Sequence, residues 1–405
     1  MVGSVVAAVL ALAACGSSPG APSPATLLPA ASSATGSPTD SATGTPPEAP
    51  SPTQAPPATS PRTAPAAATG PAAPARGAGP APAGTRPGPA AGNADVPAAA
   101  RAVDTSRPTR VIGRGTPASC TSDAVVAAVA AGGVVTFDCG PTPVTITLTH
   151  TAKVVNSHPD LVLDGGGTVT LSGGGARRIL YQNTCDQAQT WTTAHCDDQE
   201  TPRLVVQNLT LSGGDSTAER EGGGALFVRG GQVRIVNSRF VGNRCQATGP
   251  DVGGAAVRVL DQYRDRPVSV VGSTFTGGVC ANGGGISSIG VSWVVLDSVF
   301  DHNRAIGHGA NPARSGTVGG GSGGAIYLDG NAISLTLSGT RVQDNQAEEG
   351  GGAIFFVSND RTGTLTLTGS TLARNPNRGF QTAGLPGIFF LGARPPAVTA
   401  GTRLS

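Results

Sequence analysis

Apolar and polar residues alternate along the second half of this chain in short runs, as in Val233-Arg234-Ile235 and Leu335-Thr336-Leu337. That period of two predicts strands with one buried face. The runs belong to an eleven-residue block that recurs five times: VRIVNSRFVGN (233–243), VSVVGSTFTGG (268–278), WVVLDSVFDHN (293–303), LTLSGTRVQDN (335–345) and LTLTGSTLARN (365–375). The five copies align without a gap. The first column is Val233, Val268, Trp293, Leu335, Leu365, and the eighth is Phe240, Phe275, Phe300, Val342, Leu372; both are expected to fill an interior. The sixth column is Ser238, Ser273, Ser298, Thr340, Ser370. The last is Asn243, Asn303, Asn345 and Asn375, with Gly278 in the remaining copy. These polar columns are expected at bends, where a side chain bonds to its own main chain or to its copy in the next coil. Each block follows a Gly-rich start such as GGALFV (223–228) or GGAIFFV (351–357), and no helical period intervenes. Self-similarity at a spacing of about 30 residues predicts a solenoid of stacked strand–bend–strand repeats. The fold class is all-β, a single parallel β-helix.

The first hundred residues read differently. Residues 1–15, MVGSVVAAVLALAAC, carry an apolar run from Val5 to Ala14, too short to span a membrane and suited to a signal segment. Its ending, Leu12-Ala13-Ala14-Cys15, resembles a bacterial lipobox, which implies lipidation of Cys15 and a lipid-membrane anchor. It departs from that pattern in having no Lys or Arg before the run. Residues 16–105 are almost wholly Pro, Ala, Ser, Thr and Gly, the composition of a disordered tether. Residues 106–405 are assigned to the solenoid. Within them Ser122 as cap, Asp123 in the first turn and Gly132 past the end frame a short helix that would plug the open end of the coil. Val134–Phe137 is expected as the first strand, and 387–391 as a last partial coil.

Composition sharpens this picture only slightly. The net charge of +2 leaves no electrostatic footprint for nucleic acid. Behind an export signal, the six cysteines after Cys15 read as disulfides. Cys245 and Cys280 each lie five residues after the Phe of their block, so they share a column in adjacent coils about 4.8 Å apart and should be bridged. Cys185 with Cys196 would close one loop, and Cys120 with Cys139 would clamp the helix to the first strand. The long spacings, with no Cys-x-x-Cys, argue against a metal site.

The GGA-I and F-x-x-N motifs resemble the repeats of the polymorphic outer-membrane proteins, and more widely the parallel β-helix proteins of the pectin-lyase-like superfamily. The resemblance spans about residues 120–390 and implies a right-handed coil. It does not imply one activity, because the superfamily holds lyases, hydrolases and adhesins. Gly307-His308-Gly309 matches a polygalacturonase motif whose companion signatures are absent from this chain. No cofactor is expected; calcium would enter only for a lyase.

One charged constellation emerges from the alignment. The tenth column of the block is Gly242, Gly277, His302, Asp344, Arg374, a ladder expected on the outside of three successive coils. His302 opens the longest inter-coil loop, 304–322, which carries Arg304, His308 and Arg314. A carboxylate beside an imidazole suits acid–base chemistry, and equally a surface charge ladder. The leading expectation is a monomeric, lipid-anchored surface protein that binds a glycan or protein ligand. The alternative is an extracellular polysaccharide lyase or glycoside hydrolase, and a cell-wall spacer is third. An aromatic content of 4% leans against the enzyme, since sugar sites commonly stack on aromatic rings.

Overall fold

The computed structural model describes residues 92–189 and 192–405, all within one compact unit, Arg76–Ser405. The signal segment, Cys15 and the tether through residue 91 lie outside the described residues. Successive turns of the chain lay their strands side by side in parallel sheets of ten, nine and eight strands, with a short fourth sheet of three. This is the stacking of a parallel β-helix solenoid. The register follows the sequence columns: Ile235, Val270, Val295, Leu337 and Leu367 pair in order along the first sheet. Phe240, Phe275, Phe300, Val342 and Leu372 do the same along the second. These side chains are buried. The three Phe rings stack with centroids 4.8 and 4.6 Å apart, and each contact adds about 0.5–1.5 kcal/mol beyond its buried area.

Two corners in each block turn the chain by the same device. The fifth-column residues Asn237, Gly272, Asp297, Gly339 and Gly369 all have positive φ, as do all five tenth-column residues. A buried polar residue follows each corner, except after Gly277, where Gly278 takes the place of the Asn. At the first, every Ser or Thr hydroxyl bonds the carbonyl two residues back, as Ser273 does to Val271 at 2.9 Å. It also accepts the backbone N–H of its counterpart one coil earlier: Ser238 N bonds Ser273 Oγ at 3.1 Å, and Ser273 N bonds Ser298 Oγ at 3.1 Å. At the second corner Asn303 and Asn345 bond their neighbours in the same way, through both Oδ1 and Nδ2. Buried backbone groups exposed by the bend are thereby satisfied.

The third sheet departs from the one-buried-face expectation. Its strands, such as Leu226–Arg229 and Ile354–Ser358, are buried on both faces. The outward column runs Tyr181, Phe227, Arg258, Ser287, Tyr327, Phe355, Phe389, and the loops between coils cover it. Continuous apolar runs are what doubly covered parallel strands require.

At the N-terminal end, helix α1 (Ser122–Ala131) is capped by Thr121 rather than Ser122: the Thr121 hydroxyl accepts from Ala124 N at 3.2 Å. The first strand is Arg110–Gly113, ahead of the helix, and it pairs with Gly133–Asp138. At the other end the strand Ile388–Leu391 is followed by Ala397–Val398 and Arg403–Leu404, which extend the first and second sheets. Residues 92–105, whose composition matches the tether, lie along the flank of the first sheet. Ala94 N bonds Asp297 Oδ1 at 3.0 Å, Val103 exchanges two bonds with the Gln207 side chain, and Thr105 Oγ1 bonds Asp164 Oδ2 at 2.7 Å. Ala100, with Ala94 and Val96, packs on Val236, Val271 and Leu296. This strap therefore crosses several coils lengthwise.

Disulfides join Cys120 to Cys139, Cys185 to Cys196 and Cys245 to Cys280. The Cα separation of the last pair, 4.8 Å, is the spacing between adjacent strands. Three disulfides point to an oxidising, extracytoplasmic environment. No helix among the described residues is long and apolar enough to cross a membrane.

Candidate functional site

The tenth-column corner places three charged side chains in a row on the surface. The position is a left-handed one, which glycine takes without strain, and Gly242 and Gly277 hold it in the first two copies. His302, Asp344 and Arg374 replace that glycine at φ of 54°, 56° and 53°. The structure brings Asp344 and Arg374 together in a two-pronged contact, Nε to Oδ1 at 2.6 Å and Nη2 to Oδ2 at 2.7 Å. The Arg374 guanidinium, opposed only weakly by burial, holds the Asp344 carboxyl below its ordinary range. His302 stands one coil before Asp344, but its Nδ1 lies 3.6 Å from Asp301 Oδ2. The side chains of His302, Asp344 and Arg374 are 67%, 27% and 64% exposed.

The 304–322 loop is tied down by a residue that the column pattern did not single out. Glu349 sits at the end of the next coil with its side chain only 7% exposed. It accepts Arg314 Nη1 at 3.0 Å and Nη2 at 2.8 Å, and the backbone N–H of Gly309 at 2.8 Å. His308 Nδ1 lies 3.3 Å from Glu349 Oε1. Burial works against the charge on Glu349, yet the bonds from Arg314 and Gly309, with the nearby charges of Arg314 and His308, outweigh it and hold the carboxyl below its ordinary range. Beside it, Arg378 and Glu348 pair at 3.1 Å. A cleft of about 670 Å³ opens at this point, lined by His308, Arg314, Glu348, Glu349, Arg378 and Phe380. Arg304 is exposed on its short strand and forms no ion pair among the described residues.

The depressed Glu349 carboxyl makes the loop sensitive to acid. A group whose folded value lies below its unfolded one stabilises the fold while ionised. Its contribution is complete above the ordinary value of 4.5 and is lost as pH falls through the folded value. Hydrogen exchange over residues 306–322, corrected for intrinsic rates, should be flat above the ordinary value of 4.5 and rise as pH falls below it. Glu349→Gln should remove that step. Equal protection of the unmodified protein and of Glu349→Gln at pH 7 would show that Glu349 does not hold the loop.

The arrangement presents charged and hydrogen-bonding groups to solvent, and its arginine-paired carboxylates are not placed as proton donors at neutral pH. Three carboxylates of this face are each engaged by an arginine, Asp344 by Arg374, Glu348 by Arg378 and Glu349 by Arg314, while Asp301 lies beside His302. A general acid at neutral pH needs a raised carboxyl value, and Asp344 and Glu349 are displaced the other way. No group of three or more His, Cys, Asp or Glu residues among the described residues is placed to hold a metal ion. Comparison with protein-family models, with curated proteins and with solved structures finds no match. Glu349 could have been suspected from its acidic neighbour Glu348 at the end of the QAEE run (346–349), but its partner Arg314 lies in a loop that no other repeat shares.

Proposed function

We propose that this is a surface-displayed lipoprotein whose solenoid binds a glycan or protein ligand along the corner that carries His302, Asp344 and Arg374. One observation carries this reading. Charged side chains occupy a left-handed corner where earlier coils use glycine, and Arg374 in particular holds that backbone without the local tolerance that Asp and His have. The ion-paired carboxylates favour binding over the lyase or hydrolase alternative. The anchor would be Cys15, with residues 16–91 as the tether. The coil is taken as right-handed, in keeping with its resemblance to the pectin-lyase-like proteins. Helix α1, which packs on the strands Arg110–Gly113 and Ala152–Lys153, would close its first turn.

The test is an array of neutral and acidic glycans, with a parallel screen of surface proteins, probed by the full chain. Replacing His302 and Arg374 together by glycine should weaken the bound ligand at least tenfold and leave the thermal midpoint unchanged or higher. Unchanged affinity would remove the corner from the site. Cys15→Ala should move the protein from the membrane fraction to the medium; retention on the membrane would overturn the anchor.

A further inference from the structure

A second cleft, of about 470 Å³, lies over the outer face of the third sheet, away from the charged corner column. Its lining interleaves two kinds of polar group. Asp251, Asp261 and Asp329 are carboxylates, which when ionised only accept hydrogen bonds. Arg229 and Arg258 only donate. Leu260 and Ile289 supply an apolar patch between them.

The polar groups are held in place from behind. Asn311, from the long loop, donates through one nitrogen to Asp251 Oδ1 at 3.1 Å and to Asp329 Oδ2 at 2.9 Å. The two carboxylate oxygens are therefore no more than about 6 Å apart. Asn359 donates to the other oxygen of Asp329 at 2.9 Å. Arg258 is the unusual member. Its residue is 3% exposed, in a column otherwise mostly aromatic, yet no carboxylate forms an ion pair with it among the described residues. Its guanidinium bonds the Ser287 hydroxyl and the Asp251 carbonyl, and its Nε has no partner among the described residues. Arg229 Nε, in the same cleft, stands 3.6 Å from Asp261 Oδ2 and has no hydrogen-bond partner among them either. A buried cation is costly unless something compensates it, and the position could have been apolar, as Phe227 and Phe355 are in the same column. Burial, and after it the neighbouring Asp251, push the Asp329 carboxyl above its ordinary range, although Asn359 bonds it.

We infer that this cleft binds a neutral sugar residue, its hydroxyls bridging the carboxylates of Asp251 and Asp329 to the guanidinium side of the cleft. A hydroxyl both donates and accepts through one atom, so a ring bearing several of them suits an interleaved lining of this kind, with its C–H face toward Leu260 and Ile289. An anion would meet three carboxylates, and a cation two guanidinium groups. The inference rests on the reading of the solenoid as a ligand binder and adds to it a second site and a ligand class.

The experiment is saturation-transfer NMR and calorimetry of the full chain with maltose, cellobiose, mannobiose, diacetylchitobiose and digalacturonate. At least one neutral disaccharide should bind. Its affinity should fall tenfold or more in Asp329→Asn and in Asn359→Ala, which keep side-chain shape or sit at the rim, while Arg403→Ala, at an exposed position of the last short strand, leaves it unchanged. Thermal midpoints of the variants establish that they fold. Binding lost in Arg374→Gly but kept in Asp329→Asn would overturn this cleft while supporting the corner. Binding of digalacturonate alone, or of none of the five, would overturn the inference and leave the corner to the array result.

Discussion

Replacing Asn345 by alanine is expected to destabilise the solenoid by about 2–6 kcal/mol, the largest effect of any single substitution in the two corner ladders. Asn345 is fully buried at the second corner. Its Oδ1 accepts both the backbone N–H and the side-chain amide of Asn303, each at 2.9 Å. Its Nδ2 donates to the Phe300 carbonyl at 3.0 Å, to Gln343 O at 2.9 Å and to Asn375 Oδ1 at 2.9 Å. Alanine would strip the Asn303 N–H of this acceptor and the Phe300 carbonyl of this donor, in a place water does not reach. Each buried group left unpaired costs about 1–3 kcal/mol. Urea unfolding followed by the fluorescence of Trp293, buried in the same coil as Asn303, reads the loss. A change below about 0.5 kcal/mol would mean that the ladder is decorative. The gap at Gly278 cannot be filled in the same way, because a Cβ there would lie 1.9 Å from the Gly284 carbonyl oxygen.

Removing the strap should have the next largest effect. A protein beginning at residue 92 is expected to match the full chain in urea midpoint, whereas one beginning at residue 106 should lose about 3–5 kcal/mol. The truncation uncovers Val236, Val271 and Leu296, now buried beneath Ala94, Val96 and Ala100. It also removes the bonds to Gln207 and Asp164. The freed strip is a row of aliphatic side chains along adjacent coils, so the shorter protein should also self-associate in sedimentation. Equal midpoints for the two truncated proteins would show that the strap lies on the surface without contributing. Asp164 adds a pH signature. Burial opposes its charge, but hydrogen bonds from Gln207, Gly166, Thr105 and Asn208 hold its carboxyl below the ordinary range. The strap's contribution should therefore be complete at neutral pH and diminish as pH falls below the ordinary value of 3.8.

The eleven-residue block by itself determined the parallel stacking, the interior columns and the two polar ladders. The reason is geometric. In an in-register parallel solenoid a sequence column becomes a row of touching neighbours, so alignment of the copies is already a contact list. The Cys245–Cys280 bridge follows from the same rule, and so does the meeting of Asp344 with Arg374. Only the tertiary structure decided what covers the outside. The strap has the composition of a linker, and its few Ala and Val side chains gain value only against Val236, Val271 and Leu296. Glu349 meets Arg314 through a loop that occurs once. Arg258 stands in a column whose outward face is closed by loops of unequal length. Periodic contacts repeat in the sequence and announce themselves there. Contacts made by single loops and by a strap running across the coils have no period, and they exist only once the solenoid has brought distant residues side by side.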